Sequence, residues 1–138
     1  MKLRGLQHVS SPYPEGAEAA VRRFYGDVLG LPEQAIPSTL SGHGLLWFSA
    51  GAGLEMHFFP GSTDGESQRH FCLDIDDLDE TRRRLQEAGL EPYDATPIPN
   101  RPRFFCRDPF GNLIVAAHQP GRREAESKPD EIEQQFHG

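Results

Sequence analysis

The chain has 138 residues, a formal charge of −7 and 36% hydrophobic residues. That length suits one domain with a core large enough to stand without metal or disulfide staples. The acidic balance excludes a general nucleic-acid surface, and the one basic run, Arg82–Arg83–Arg84, sits among acids and reads as a solvated helix face. The start, MKLRGLQHVS, holds no long apolar stretch, so no leader and no membrane span are expected. Two cysteines, Cys72 and Cys106, form no disulfide framework, which agrees with an expected cytoplasmic location.

In chain order, residues 3–11 read as a first strand. Val21, Phe24 and Val28 then recur at helical spacing, and Gly30 stops that helix. Residues 31–42 are rich in Pro, Ser and Gly and give only a weak strand. HGLLWFSA and GLEMHFF, parted by Gly51-Ala52, suggest an antiparallel hairpin. The polar break PGSTDGESQ follows, and the pattern restarts. RHFCLDI reads as a strand and DDLDETRRRLQEAG as a helix, with Asp77 and Glu80 spaced as a capping box. RFFCRD and NLIVAAH close the half across the turn Asp108–Asn112. Strand, helix and about three strands thus occur twice: module one over about 1–60, module two over about 68–118. Residues 119–138 are polar and charged and read as a flexible tail, with a short helix docking through Ile132 and Phe136 as the rival.

Side chains alternate across a strand, so parity assigns faces. Phe71, Leu73 and Ile75 share one face, and His70, Cys72 and Asp74 the other. Met56 and Phe58 oppose Glu55 and His57. The apolar faces suit the helices, and the polar faces point to water or to a cleft between the halves. Aligning the closing strands pairs Glu55 with Val115, giving the symmetric set His8, Glu55, His70 and Val115. Two imidazoles and a carboxylate suit a divalent ion. His57 lies on the face of Glu55 and is a reserve ligand. His43, His118 and His137 have no symmetric partner. Arg103, Phe105 and Arg107 share a face, where an arginine suits a ligand carboxylate or phosphate. Trp47 and Phe105 suit an apolar wall.

LQHV, FYGDVLGL, GLEMHFF, RHFCLDIDDLDETRRRLQEAGL and DPFGNLI, in this order, resemble the glyoxalase/bleomycin-resistance/dioxygenase group, the vicinal oxygen chelate superfamily. The resemblance implies an α+β fold of two tandem βαβββ modules, their sheets curled around a shared cleft, in one domain over 1–118. It also implies a small-molecule ligand and a homodimer. It carries metal-ligand positions onto His8, Glu55 and His70. At the fourth, where the group has a glutamate, this chain has Val115. The expectation is a lyase or isomerase using a divalent Ni, Zn, Mn, Fe or Co ion, with Glu55 as ligand and base and with Trp47, Arg103 and Phe105 facing the substrate. A dioxygenase is disfavoured by Val115. The rival is a metal-free protein that sequesters its ligand.

Overall fold

The computed structural model describes residues 1–119 of the chain, so the expected tail lies outside the described residues except for Gln119. Module one runs β1 (His8–Tyr13), α1 (Glu18–Val21, continuing as a wider π-helical turn Arg22–Val28), β2 (Glu33–Gln34), β3 (Leu46–Ser49) and β4 (Glu55–Pro60). Module two runs β5 (His70–Asp74), α2 (Leu78–Glu87), β6 (Tyr93–Asp94), β7 (Arg103–Arg107) and β8 (Leu113–Ala117). The strands form two four-stranded sheets, A in the order β1-β4-β3-β2 and B in the order β5-β8-β7-β6. In each, the first and last strands of the module pair in parallel and the rest antiparallel. The duplicated α+β architecture is thus as the sequence leads one to expect.

The first strand is displaced from the expected span. Residues 3–7 pair with nothing regular, because β4 begins at Glu55, whose N–H makes the outermost bond to the Gln7 carbonyl at 3.0 Å. The strand instead continues through Pro12, tolerated because β1 is an edge strand and the missing N–H costs no ladder bond on its open side. In the first helix Val21, Phe24 and Tyr25 are buried. The helix ends with Leu31 N–H on the Tyr25 carbonyl at 2.9 Å. Asp77 caps α2, its carboxylate accepting the Glu80 N–H at 3.0 Å.

One core serves both modules, joining Phe24, Tyr25, Phe48, Met56 and Phe58 to Leu85, Phe104, Cys106 and Ile114. Burying one such side chain contributes roughly 1.5–3 kcal/mol. The Asp108–Asn112 turn clasps the halves together. The Asp108 carboxylate accepts the N–H groups of Phe110 and Asn112 at 2.9 and 2.8 Å and the Tyr25 hydroxyl at 2.6 Å. Asn112 donates to the Pro12 carbonyl at 2.9 Å, and Arg107 to the carbonyls of Ser67 and Gly111 at 2.7 and 3.0 Å. A side chain at Gly111, whose φ is +93°, would stand 3.0 Å from the Gly65 Cα, so the turn lies directly on the link between modules.

Candidate ligand-binding faces of the two sheets

The strand registers decide which residues are equivalent. In sheet A, His8 stands opposite Glu55 and Ser10 opposite His57. In sheet B, His70 stands opposite Leu113 and Cys72 opposite Val115. With His8 matched to His70, Glu55 therefore corresponds to Leu113, and Val115 to His57. This corrects the expected symmetric set, in which Val115 matched Glu55. The same registers match Trp47, opposite His57, with Phe105, opposite Val115.

On sheet A these residues make a ladder across three strands. The Trp47 and His57 rings stack at 4.1 Å and 5°, and the His57 and His8 rings at 4.0 Å and 12°. Glu55 fixes the middle ring by accepting from His57 Nε2 at 2.9 Å. The His57 side chain keeps 14% of its surface accessible, and its ladder neighbour His8 is exposed. His57, expected at most as a reserve ligand, is thus the centre of the arrangement. Its mate in module two is apolar, so no repeated histidine marked it. The matched glycines Gly53 and Gly111, four residues before His57 and Val115 respectively, were the available signal.

On sheet B the ladder is broken. Val115, 3% exposed, fills the place of the middle ring, so His70 and Phe105 meet only edge to face at 6.1 Å and 79°. Tyr93 packs on Phe105 at 5.6 Å, and the Arg103 guanidinium lies 5.2 Å from the centre of the same ring. Arg103, Phe105 and Arg107 share the face expected of them, but Arg107 is taken up by the clasp.

Members of this fold group often use divalent metals, so the donor geometry is decisive. Among the described residues no three His, Cys, Asp or Glu side chains are grouped closely enough to hold an ion. The expected set His8, Glu55 and His70 is therefore not assembled within one chain: His8 and Glu55 belong to sheet A and His70 to sheet B. His8 and His57 do not fit as a ligand pair either. A metal must lie in the plane of each imidazole it binds, and two stacked, nearly parallel rings share no such point. Glu55 is engaged by His57. Both His8 and His70 do keep a ligand posture: each Nδ1 meets an oxygen, of the Gln7 side chain at 2.7 Å and of the Gln68 carbonyl at 2.9 Å, which leaves Nε2 free.

A duplicated βαβββ fold whose sheets each present aromatic, imidazole and polar side chains defines a class of small-molecule-binding domains. The family model of the Glyoxalase/Bleomycin resistance protein/Dioxygenase superfamily matches residues 5–116, and the chain belongs to that family. It is 31% identical to a glyoxalase family protein from Bacillus anthracis, with 86% of this chain and 98% of that one covered and a TM-score of 0.77. An antibiotic-binding protein from a Streptomyces species shares the fold at 23% identity, coverage of 86% and 98%, and a TM-score of 0.65. So does a fosfomycin resistance protein from Listeria monocytogenes, solved with Mn(II) and sulfate, at 17% identity, coverage of 91% and 98%, and a TM-score of 0.68. No curated protein matches the chain. No helix among the described residues is long and apolar enough to cross a membrane.

Proposed function

We propose that this chain binds a flat small molecule against the Trp47–His57–His8 ladder, without metal, as a homodimer. The ladder carries this reading: three rings stacked across β3, β4 and β1 at 4.1 and 4.0 Å end on an exposed imidazole that a planar ligand extends by one ring. Each such contact is worth about 0.5–1.5 kcal/mol beyond the area it buries. Glu55 holds His57 in place and offers the ligand an acceptor beside the stack. The antibiotic-binding relative from Streptomyces supports a binding role for this fold.

Trp47 is the only tryptophan, so its fluorescence reports directly on this face. The expected result is saturable quenching by conjugated planar ligands, unchanged by a chelator and weakened about tenfold or more in His57→Ala. Quenching that needs an added divalent ion would overturn the reading.

One observation favours a second reading, a metal-dependent lyase or isomerase. His8 and His70 both leave Nε2 free, and a homodimer that set sheet A of one copy against sheet B of the other would bring them together. Metal analysis of protein purified without chelator tests it: about one ion per chain, lost in both His8→Ala and His70→Ala, supports it, and metal-free protein that takes up no Mn(II), Ni(II), Zn(II) or Fe(II) ends it.

A further inference from the structure

Sheet B carries a constellation that the ladder does not use. Arg103 opens β7 on the face it shares with Phe105. One of its amino groups donates to the Thr96 carbonyl at 2.9 Å, and its guanidinium lies 5.2 Å from the centre of the Phe105 ring. Its Nε–H is buried and meets no acceptor; it is the one buried side-chain nitrogen or oxygen so placed among the described residues. A guanidinium cannot shed its charge to silence such a donor, and a ring face is only a weak acceptor. Other arginines have their acceptors: Arg22 holds Glu33, Arg82 holds Asp94, Arg84 holds Glu80, and Arg107 holds two carbonyls. Beside Arg103 the Phe105 ring is framed by Tyr93, 46% exposed, and by the exposed His70.

We propose that Arg103, Phe105 and Tyr93 form a subsite for the carboxylate of an aromatic or conjugated acid. A carboxylate that draws the guanidinium outward supplies the acceptor that the covered Nε–H lacks, and its second oxygen takes an amino group as a fork. A forked carboxylate lies in the guanidinium plane. The ring of an aryl carboxylate held there has the surface of Phe105, its centre 5.2 Å from the guanidinium carbon, and of Tyr93 beside it to pack on. A flat acid therefore meets both halves of the constellation at once, whereas a tetrahedral anion meets only the charge. The subsite stands on sheet B and does not depend on the ladder of sheet A.

The experiment follows the Arg103 Nε–H and the Phe105 and Tyr93 ring resonances by NMR while the full chain is titrated with benzoate, benzamide, acetate and inorganic phosphate. Benzoate is expected to shift all three saturably, with benzamide and acetate weaker by about tenfold or more, as the loss of a charged hydrogen bond or of the stacking surface requires. Arg103→Lys keeps the stem and the charge but not the fork, and should weaken benzoate by a similar factor with the unfolding temperature unchanged. Benzoate should shift these three resonances at concentrations that leave the Trp47 fluorescence unquenched, which separates this subsite from the ladder. Benzamide binding as well as benzoate, phosphate competing as strongly as benzoate, or benzoate leaving the Arg103 Nε–H unmoved would each overturn the proposal.

Discussion

The two sheets share a topology and a register, yet their open faces carry different chemistry. At the same rung, sheet A has Trp47 beside His57 and sheet B has Phe105 beside Val115. One exchanged side chain decides the outcome: an imidazole completes a stack, and a valine leaves Phe105 and His70 at 6.1 Å. The turns differ in the same way. Ala50 N–H bonds the Leu54 carbonyl and Asp108 N–H bonds the Asn112 carbonyl, both at 2.8 Å, so the backbone turn is the same in each half. Only module two adds side chains that reach across to module one. Duplication fixed the frame, and single positions set what each half adds: a stack of rings on sheet A and a clasp from the last turn of module two.

That comparison can be broken most severely at Asp108. Asp108→Ala installs the residue that module one has in the same turn and strips acceptors from Tyr25, Phe110 and Asn112. A loss of about 3 kcal/mol or more is expected from denaturant unfolding, because buried donors are left unsatisfied. A change under about 1 kcal/mol would mean that the turn needs no clasp. Next in size is His57→Val, which gives sheet A the side chain of sheet B. Quenching of Trp47 by a planar ligand should weaken by roughly tenfold, since a stacking partner and the Glu55 contact are both lost.

Alkaline pH tests module one from inside. Burial, with Glu18 adding to it, pushes the Tyr13 hydroxyl up to about 12, and burial beside Asp108 raises Tyr25 well above its ordinary range. Above pH 10 the unfolded chain loses protons that the folded chain keeps, so stability falls as pH rises through that window, for Tyr13 until about pH 12. Thermal unfolding between pH 9 and 12 should show the decline, and Tyr25→Phe should flatten it. The smallest effect belongs to α2, where Arg83 pairs with Glu80 and Glu87 on an exposed face. Arg83→Ala should leave the unfolding midpoint unchanged within error, because exposed pairs are screened and weak.

The repeat, both helices and the facing of the strands were legible in the sequence, because each follows from local spacing. The register was not. GLEMHFF and NLIVAAH are both largely apolar, and hydrophobicity alone slid one against the other by two residues, which kept the parity but set Val115 against Glu55. Pairing partners fix register, and those come from elsewhere in the chain. The sequence placed His8 and Glu55 in one module and His70 in the other, but local spacing carries no information on whether the two sheets bring them within reach of one ion. Tyr25 falls off the stripe read from Val21, Phe24 and Val28, and Asp108 read as a turn former; their bond spans 83 residues, beyond any local pattern.

The clasp also sets an order of events during synthesis. Module one leaves the ribosome with its strands and helix complete, but the Tyr25 hydroxyl has no acceptor and the Pro12 carbonyl no donor until Asp108 and Asn112 emerge. The first half therefore reaches its full core and these bonds only when the last hairpin of the second half has been made. A chain stopped short of Asp108 should be the form that a chaperone holds or a protease removes.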